Sequence, residues 1–321
     1  RIELEPLGAA PAAKPELVLG SAKVFFAMGG NFLSATPDTQ FTAEALRRCK
    51  LTVQVSTKLN RSHLVHGEAA LILPCLGRTD KDMLNDELQF ISCENSMGVV
   101  QMSKGSLKPV SENLKSEPEI VCELAMAVQG KRSKIDWQKY LQHYDEIRND
   151  IEKTIPGFEA YNEKVRRPAG FYLPNCNRSG WFNTESQKAN FNIASPLVHR
   201  LNDDELMMMT IRSHDQFNTT IYGLNDRYRG VKNERRVIFM NRLDMNNRSL
   251  KTGDVVDVFS NADGTERVAR KFIAVEYPIP VQCTAMYFPE ANVLVPIGHV
   301  AEKSNTPVSK SVLITVQRSK D

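Results

Sequence analysis

The chain has 321 residues, enough for two domains on the usual scale of about 100–200 residues each. Its 41% hydrophobic and 25% charged residues are those of an ordinary folded protein, and a formal net charge of +3 is too small to imply a nucleic-acid partner. No run of about 18 apolar residues is present to span a membrane.

The chain opens on Arg1 rather than Met, with no signal-peptide pattern, and so reads as a trimmed fragment. Six cysteines, none at C-x-x-C spacing, argue against a zinc site, an iron–sulfur site or a disulfide framework in this chain. They favour a reduced, cytoplasmic protein.

Residues 1–20 are rich in Ala, Pro and Gly and read as a linker or tail. Lys23–Met28 is a continuous apolar run, which predicts a strand buried on both faces. Gly29-Gly30-Asn31 follows at once. Two glycines there let backbone approach a ligand closely, although on their own they read first as a tight strand-to-helix turn. Thr42 is expected to cap a helix over Ala43–Cys49, with Glu44 in its first turn.

Leu51–Ser56 predicts a second strand, which runs into the basic, hydrogen-bonding stretch Thr57-Lys58-Leu59-Asn60-Arg61-Ser62. Ala69–Pro74 predicts a third. Strands and helices thus alternate at βαβ spacing, and ligands sit at the strand ends of such sheets. The absence of G-x-G-x-x-G argues against a simple NAD site. His63 and His66 have no further ligand nearby and are not read as a metal site.

Further on, Leu88–Cys93 predicts a strand before the polar turn Glu94–Gly98. Glu117–Gln129 predicts a helix with Pro118 in its first turn. Asp136–Ile155 predicts a second helix, whose stripe of Trp137, Tyr140, Leu141, Tyr144, Ile147 and Ile151 serves packing. Pro156-Gly157 ends it. Residues 157–205 carry few signals beyond an irregular strand over Trp181–Phe191.

From Glu205 the texture changes to short strands: Met207–Arg212, Val237–Met240, Val255–Phe259, Arg267–Glu276, Cys283–Phe288 and Val312–Gln317. One helix, Arg242–Leu250, is capped by Asn241. Six strands and one helix in so short a stretch predict a compact β-barrel. The domains expected are a tail (1–20), an α/β domain (21–157), an irregular connector (158–204) and a barrel (205–321).

The stretch Met207–Gly230 stands apart. It begins as an apolar strand and becomes a run of donors and acceptors: Arg212, Ser213, His214, Asp215, Gln216, Asn218, Thr219 and Thr220. Six Lys/Arg against three acids between Met207 and Arg236 suit an anionic ligand. Arg212 offers a planar fork for phosphate or a heterocycle edge, and Asn218 and Gln216 donate and accept at once. The stretch reads as one wall of a cofactor site, against a polar loop on a barrel rim or a solvated basic loop. No nucleophile–His–acid arrangement, G-x-S-x-G or Walker loop supports a nucleotide-utilising transferase.

These residues carry a family resemblance. Thr210–Thr220, Phe239–Phe259 and Met286–Lys310, with Phe288–Leu294 and Pro307–Lys310 inside the last, resemble the molybdopterin-dinucleotide-binding barrel of the molybdenum and tungsten bis-molybdopterin oxidoreductases. That family includes formate dehydrogenases and nitrate reductases. Val24–Asn31, Thr57–Pro74 and Glu94–Lys108 resemble part of its α/β cofactor domain. The strings SHDQFNTTIYGLNDRYRGV, TKLNRSH and LKSEPEIV are closer to the formate-dehydrogenase-alpha-like branch, a bacterial group linked to acid resistance.

The resemblance implies a partial, Rossmann-like three-layer α/β domain followed by an all-β double-psi barrel of the aspartate-decarboxylase-like type. It implies bis-molybdopterin guanine dinucleotide with Mo or W as cofactor. A 4Fe-4S cluster and the metal-facing residue would lie in an N-terminal part outside this chain, leaving no catalytic residue here and a fragment that is inactive alone. Partners would be a small-molecule substrate and an electron-transfer protein, without nucleic acid or a membrane segment.

Carried over residue by residue, Arg212, Ser213, His214, Asp215, Gln216, Asn218 and Thr219 would contact pterin or diphosphate. Gly29, Gly30 and Asn31 would approach a dinucleotide, with Lys58, Asn60 and Arg61 close by, and Asn292 and Lys310 would close the pterin end. The alternative is a cofactor-free binding or structural module of the same fold.

Overall fold

The computed structural model describes residues 22–193, 195, 200–214, 216 and 223–320. The expected tail 1–20, together with Asp215, Asn218 and Thr219, lies outside them. The chain forms two compact units: residues 1–73 with 198–321, and residues 74–197. The linear reading grouped residues 21–157. The contacts instead join the first strands to the barrel and divide the chain at Leu73 and Pro74.

The first unit begins with a three-stranded sheet. Strand β1 (Val24–Met28) pairs in parallel with β2 (Leu51–Ser56), from Val24 opposite Leu51 to Met28 opposite Val55. Strand β3 (Ala69–Pro74) lies on the far side of β2. Helices α1 (Phe32–Ala35) and α2 (Thr39–Arg47) bury Leu33, Ala43 and Leu46 against Phe25, Phe32 and Val65.

Two expectations are corrected here. Strand β1 is only half-buried, and β3 is largely exposed, with Leu71 and Ile72 about half open to solvent. Only the central strand β2 is buried along nearly its whole length, because only it has a neighbour on both edges. Helix α2 also starts earlier than predicted, at Thr39, with Asp38 rather than Thr42 as its N-cap. Asp38 adopts a left-handed backbone (φ 49°) and its carboxylate accepts from Phe41 N. Thr42 is fully buried inside the helix and its hydroxyl donates to Pro37 O at 3.1 Å.

The same unit continues as a closed barrel. Its strands are β9 (Leu206–Ile211), β10 (Val237–Met240), β11 (Val255–Ser260), β12 (Arg267–Glu276), β13 (Cys283–Tyr287) and β14 (Val312–Arg318). Their order around the barrel is β10-β12-β11-β14-β9-β13. Two pairs are parallel, β10 with β12 and β13 with β9, and the other four antiparallel. This closed, crossed arrangement is the double-psi barrel that the resemblance implied.

Alternating apolar residues meet inside, as a period of two requires. Leu206, Met208, Ile238, Met240, Val256, Val258, Met286 and Ile314 are at most 1% exposed. Helix α7 (Arg242–Asn247) follows β10 and is capped by Asn241, whose side chain accepts from Leu243 N at 2.8 Å.

The second unit contains a short hairpin, β4 (Met83–Leu84) with β5 (Glu87–Leu88), and an antiparallel sheet of β6 (Ile91–Glu94), β7 (Val99–Ser103) and β8 (Phe171–Tyr172). Its helices are α3 (Glu117–Gln129), α4 (Trp137–Tyr140), α5 (Asp145–Thr154) and α6 (Tyr161–Val165). Phe90, Val100, Tyr161 and Val165 form its core.

The single helix predicted over Asp136–Ile155 is broken into α4 and α5. Between them Tyr144, 2% exposed, gives its backbone N–H to Gln89 Oε1 at 3.0 Å and its hydroxyl to Asp82 at 2.8 Å. Those tertiary bonds replace helical ones. The strand expected over Leu88–Cys93 is split between β5 and β6. Trp181–Phe191 forms no strand, and α6 and β8 carry no periodicity that announces them.

Candidate functional site

A cavity of about 960 Å3 opens in the first unit between the strand tips of β1 and β2 and the barrel. One wall is the turn Gly29-Gly30-Asn31 and the loop Ser56–Arg61. The other is Arg236, Val268–Arg270 and Phe272 from the barrel, with Pro289, Glu290 and Val293 from the turn after β13. Its size reaches the upper end of the range for small-molecule and cofactor sites, roughly 300–1,000 Å3.

The two loops of the first wall are tied together. Asn60 Nδ2 donates to Gly30 O at 2.7 Å, and Ser62 Oγ donates to Asn31 Oδ1 at 3.0 Å. His63 is a capping residue, as its lack of partners in the sequence indicated: its Nδ1 accepts from Asn60 N at 3.0 Å and its Nε2 lies 3.0 Å from Ser56 Oγ. Gly30 sits at φ +70°, and a Cβ there would meet nothing within 4 Å. Backbone is therefore open to whatever occupies the cavity at this point.

Among the described residues, four cations line the cavity, Lys58, Arg61, Arg236 and Arg270, against one carboxylate, Glu290. That donor set fits a polyanion such as a diphosphate. Arg270 also lies 3.2 Å from Asp257, so its charge is shared.

Of the residues selected from sequence, Gly29, Gly30, Asn31, Lys58, Asn60 and Arg61 come together here. Of the described residues after β9, Leu224 lines this cavity, whereas Arg212, Ser213, His214 and Gln216 are not among its lining residues. Arg212 lies over the Phe288 ring at 5.6 Å, and Arg227 donates to His214 Nε2. Lys310 donates to Thr210 O. Burial, and then the nearby charge of Arg212, hold its ammonium below the usual lysine range. Asn292 is 2% exposed, and its amide donates to Ser34 O at 2.8 Å.

Ser213 and Gln216 belong to a buried network around Arg235, a residue the sequence reading did not single out. The Arg235 guanidinium donates to Ser213 Oγ, to Gln216 Oε1 at 2.8 Å, to Phe288 O at 3.0 Å and to both oxygens of Glu290 at 3.1–3.2 Å. It also stacks 4.4 Å over Tyr287. Gln216 Nε2 closes the ring onto Phe288 O. This fork fixes the start of the polar stretch against the Pro289–Glu290 wall of the cavity. The only signal in the sequence was its place in the local basic excess; Arg236, Arg270 and Glu290 were equally unmarked.

Beside the network lies Asp226, fully buried, which accepts from Tyr287 OH at 2.8 Å and Arg229 Nη1 at 2.7 Å. Burial alone would raise its pKa. The bonds from Arg229 and Tyr287, with the Arg229 charge, outweigh burial and hold it below the ordinary carboxylate value. A depressed pKa contributes stability above the unfolded value, about 3.9, and that contribution disappears as pH falls through the lower, folded value. Asp226→Asn is therefore expected to flatten the acid limb of the barrel's stability curve below about pH 4. Denaturant titrations at stepped pH test this, and an unchanged slope in that window would refute it.

Among the described residues, no group of three or more His, Cys, Asp or Glu is placed to hold a metal, and no helix is long and apolar enough to cross a membrane. All six cysteines are free.

A closed barrel joined to parallel strand tips, with a cationic cavity at the junction, makes a site suited to a polyanionic ligand. Residues 206–313 match the family described as the Molydopterin dinucleotide binding domain.

An uncharacterized oxidoreductase of Mycobacterium tuberculosis is 51% identical over 304 residues, which are 93% of this chain and 39% of the relative. Protein YdeP of Escherichia coli is 37% identical over 320 residues, 98% of this chain and 42% of its own. The chain thus spans about two-fifths of the length of these relatives. Acetylene hydratase from Pelobacter acetylenicus shares the fold, with a TM-score of 0.59 at 11% identity over 95% of this chain and 46% of that one.

Proposed function

We propose that this chain is the part of a longer molybdopterin-dependent oxidoreductase that grips a pterin dinucleotide, with the cavity receiving its diphosphate and nucleotide end. The observation that carries the reading is the cationic cavity between the β1 and β2 tips and the barrel, on a chain with a molydopterin dinucleotide binding domain.

Lys58, Arg61, Arg236 and Arg270 would neutralise the diphosphate, and the Gly29-Gly30 backbone would allow its close approach. Asn31 and Glu290 offer a donor and an acceptor for the edge of a base. Arg212, Ser213, His214, Asp215, Gln216, Asn218, Thr219 and Lys310 would meet the pterin from the barrel side.

When bound, Mo or W on two pterin guanine dinucleotides supplies the two-electron redox chemistry. This chain's residues bind, orient and shield the group. A 4Fe-4S cluster, an electron-transfer partner and a small-molecule substrate would belong to the longer protein, with formate the first substrate to try. The free thiols support a reducing, cytoplasmic setting.

The test is elemental analysis for Mo, W and Fe, with guanine released by acid, on the full-length protein from a host that makes the cofactor. Metal and guanine together are expected. A folded protein with neither would defeat the proposal in favour of a cofactor-free module.

A further inference from the structure

We infer that Asp38, Arg267 and Asn292 are positioning residues: together they form a joint that sets the width of the cavity without touching what fills it. The inference rests on reading the cavity as a dinucleotide site.

Arg267, at the start of β12, donates through Nε and Nη2 to Asp38 Oδ2 at 2.9 and 2.7 Å. Its Nη1 and Nη2 also reach the two oxygens of Asp263, at 2.7 and 2.9 Å. Asp38 and Arg267 are 6% and 8% exposed, so this is a buried ion pair between the cap of α2 and the barrel. Asn292 makes the second fastening. Its side-chain amide donates to Ser34 O at 2.8 Å, and its main-chain carbonyl accepts from Asp38 N at 2.9 Å.

Thr39 and Val268, the neighbours of Asp38 and Arg267, both line the cavity; so do Ser34, which Asn292 holds, and Val293, which follows Asn292. Each bond of the joint is therefore at most one residue from a wall. A shift of either element moves the two walls relative to each other, and a ligand bound to both senses the gap. A buried pair resists such a shift, because separating its members leaves a charge without compensation. This also gives Asn292 a different task from closing over a pterin: both of its polar groups in the joint are directed at α1 and the α2 cap.

The experiment uses the full-length protein with Asp38→Asn, Arg267→Gln and the double variant, beside Ile314→Val as a stability control in the barrel core. The first readout is the rate at which guanine is lost on dialysis, per folded protein. The second is hydrogen exchange over residues 28–31 and 57–61. Arg267→Gln is expected to release guanine roughly 10- to 100-fold faster, the range for residues that orient the direct contacts of a bound group. The double variant should lose it more slowly than Arg267→Gln, because Asp38 is then no longer a buried, unpaired charge. Exchange over both loops should rise in the joint variants and not in Ile314→Val.

Variants that release guanine at the parent rate, with only a lower melting temperature, would overturn the inference. If the parent holds no guanine, the dinucleotide reading fails separately and the exchange readout decides alone. Faster exchange in the joint variants than in the control supports the joint, and equal exchange overturns it.

Discussion

Arg235→Met is expected to destabilise the barrel by about 3 kcal/mol, near the lower end for breaking a buried ion pair. The lower end applies because Glu290, 23% exposed, is partly resolvated once its partner is gone, whereas Arg235 itself is only 6% exposed. The loss goes beyond one pair. Ser213 Oγ, Gln216 Oε1 and Phe288 O all lose a donor in the same step.

Arg235→Lys keeps the charge, but a single ammonium cannot reproduce a planar fork that reaches four partners, so it is expected to recover only part of the loss. Thermal or urea unfolding of the barrel measures both variants. Because Pro289 and Glu290 line the cavity, guanine retention should fall in parallel with stability. An Arg235→Met protein with the parent's midpoint and the parent's guanine content would show that the network is incidental.

Ile238→Ala is expected to cost about 2–5 kcal/mol, the range for emptying a well-packed core position. Ile238 is fully buried in β10, opposite Ala274 of β12 and Met286 of β13, and all three belong to the same core cluster. A cavity left there has paired strands on both sides, which cannot collapse into it without breaking ladder bonds. Ile238→Val, which removes one methylene, should cost about 1 kcal/mol. Urea unfolding with both variants checks the ratio. Equal costs would indicate that the barrel relaxes around the void.

The barrel was legible because its information is local. Strands Val237–Met240 and Arg267–Glu276 fall where the alternation of apolar residues placed them, and the other four strands are displaced by only a residue or so. Asn241 was visible as a cap because capping needs only its neighbours. Asp38 was not, since its cap comes with a left-handed backbone and a partner, Arg267, that lies 229 residues away. The break at Tyr144 was hidden for the same reason: its helical periodicity is intact, and Gln89 and Asp82 override it.

The candidate site divides along the same line. Strand ends and glycine turns marked Gly29-Gly30-Asn31 and the basic stretch holding Lys58, Asn60 and Arg61 as places a ligand could approach, and the family resemblance made them cofactor contacts. Only the folded chain brought Arg236, Arg270 and Glu290 opposite them, and only it turned Ser213 and Gln216 toward Arg235. Periodicity fixes which face of a strand is buried. Which distant face it will confront depends on barrel closure and on buried charges finding partners, and no local pattern encodes either.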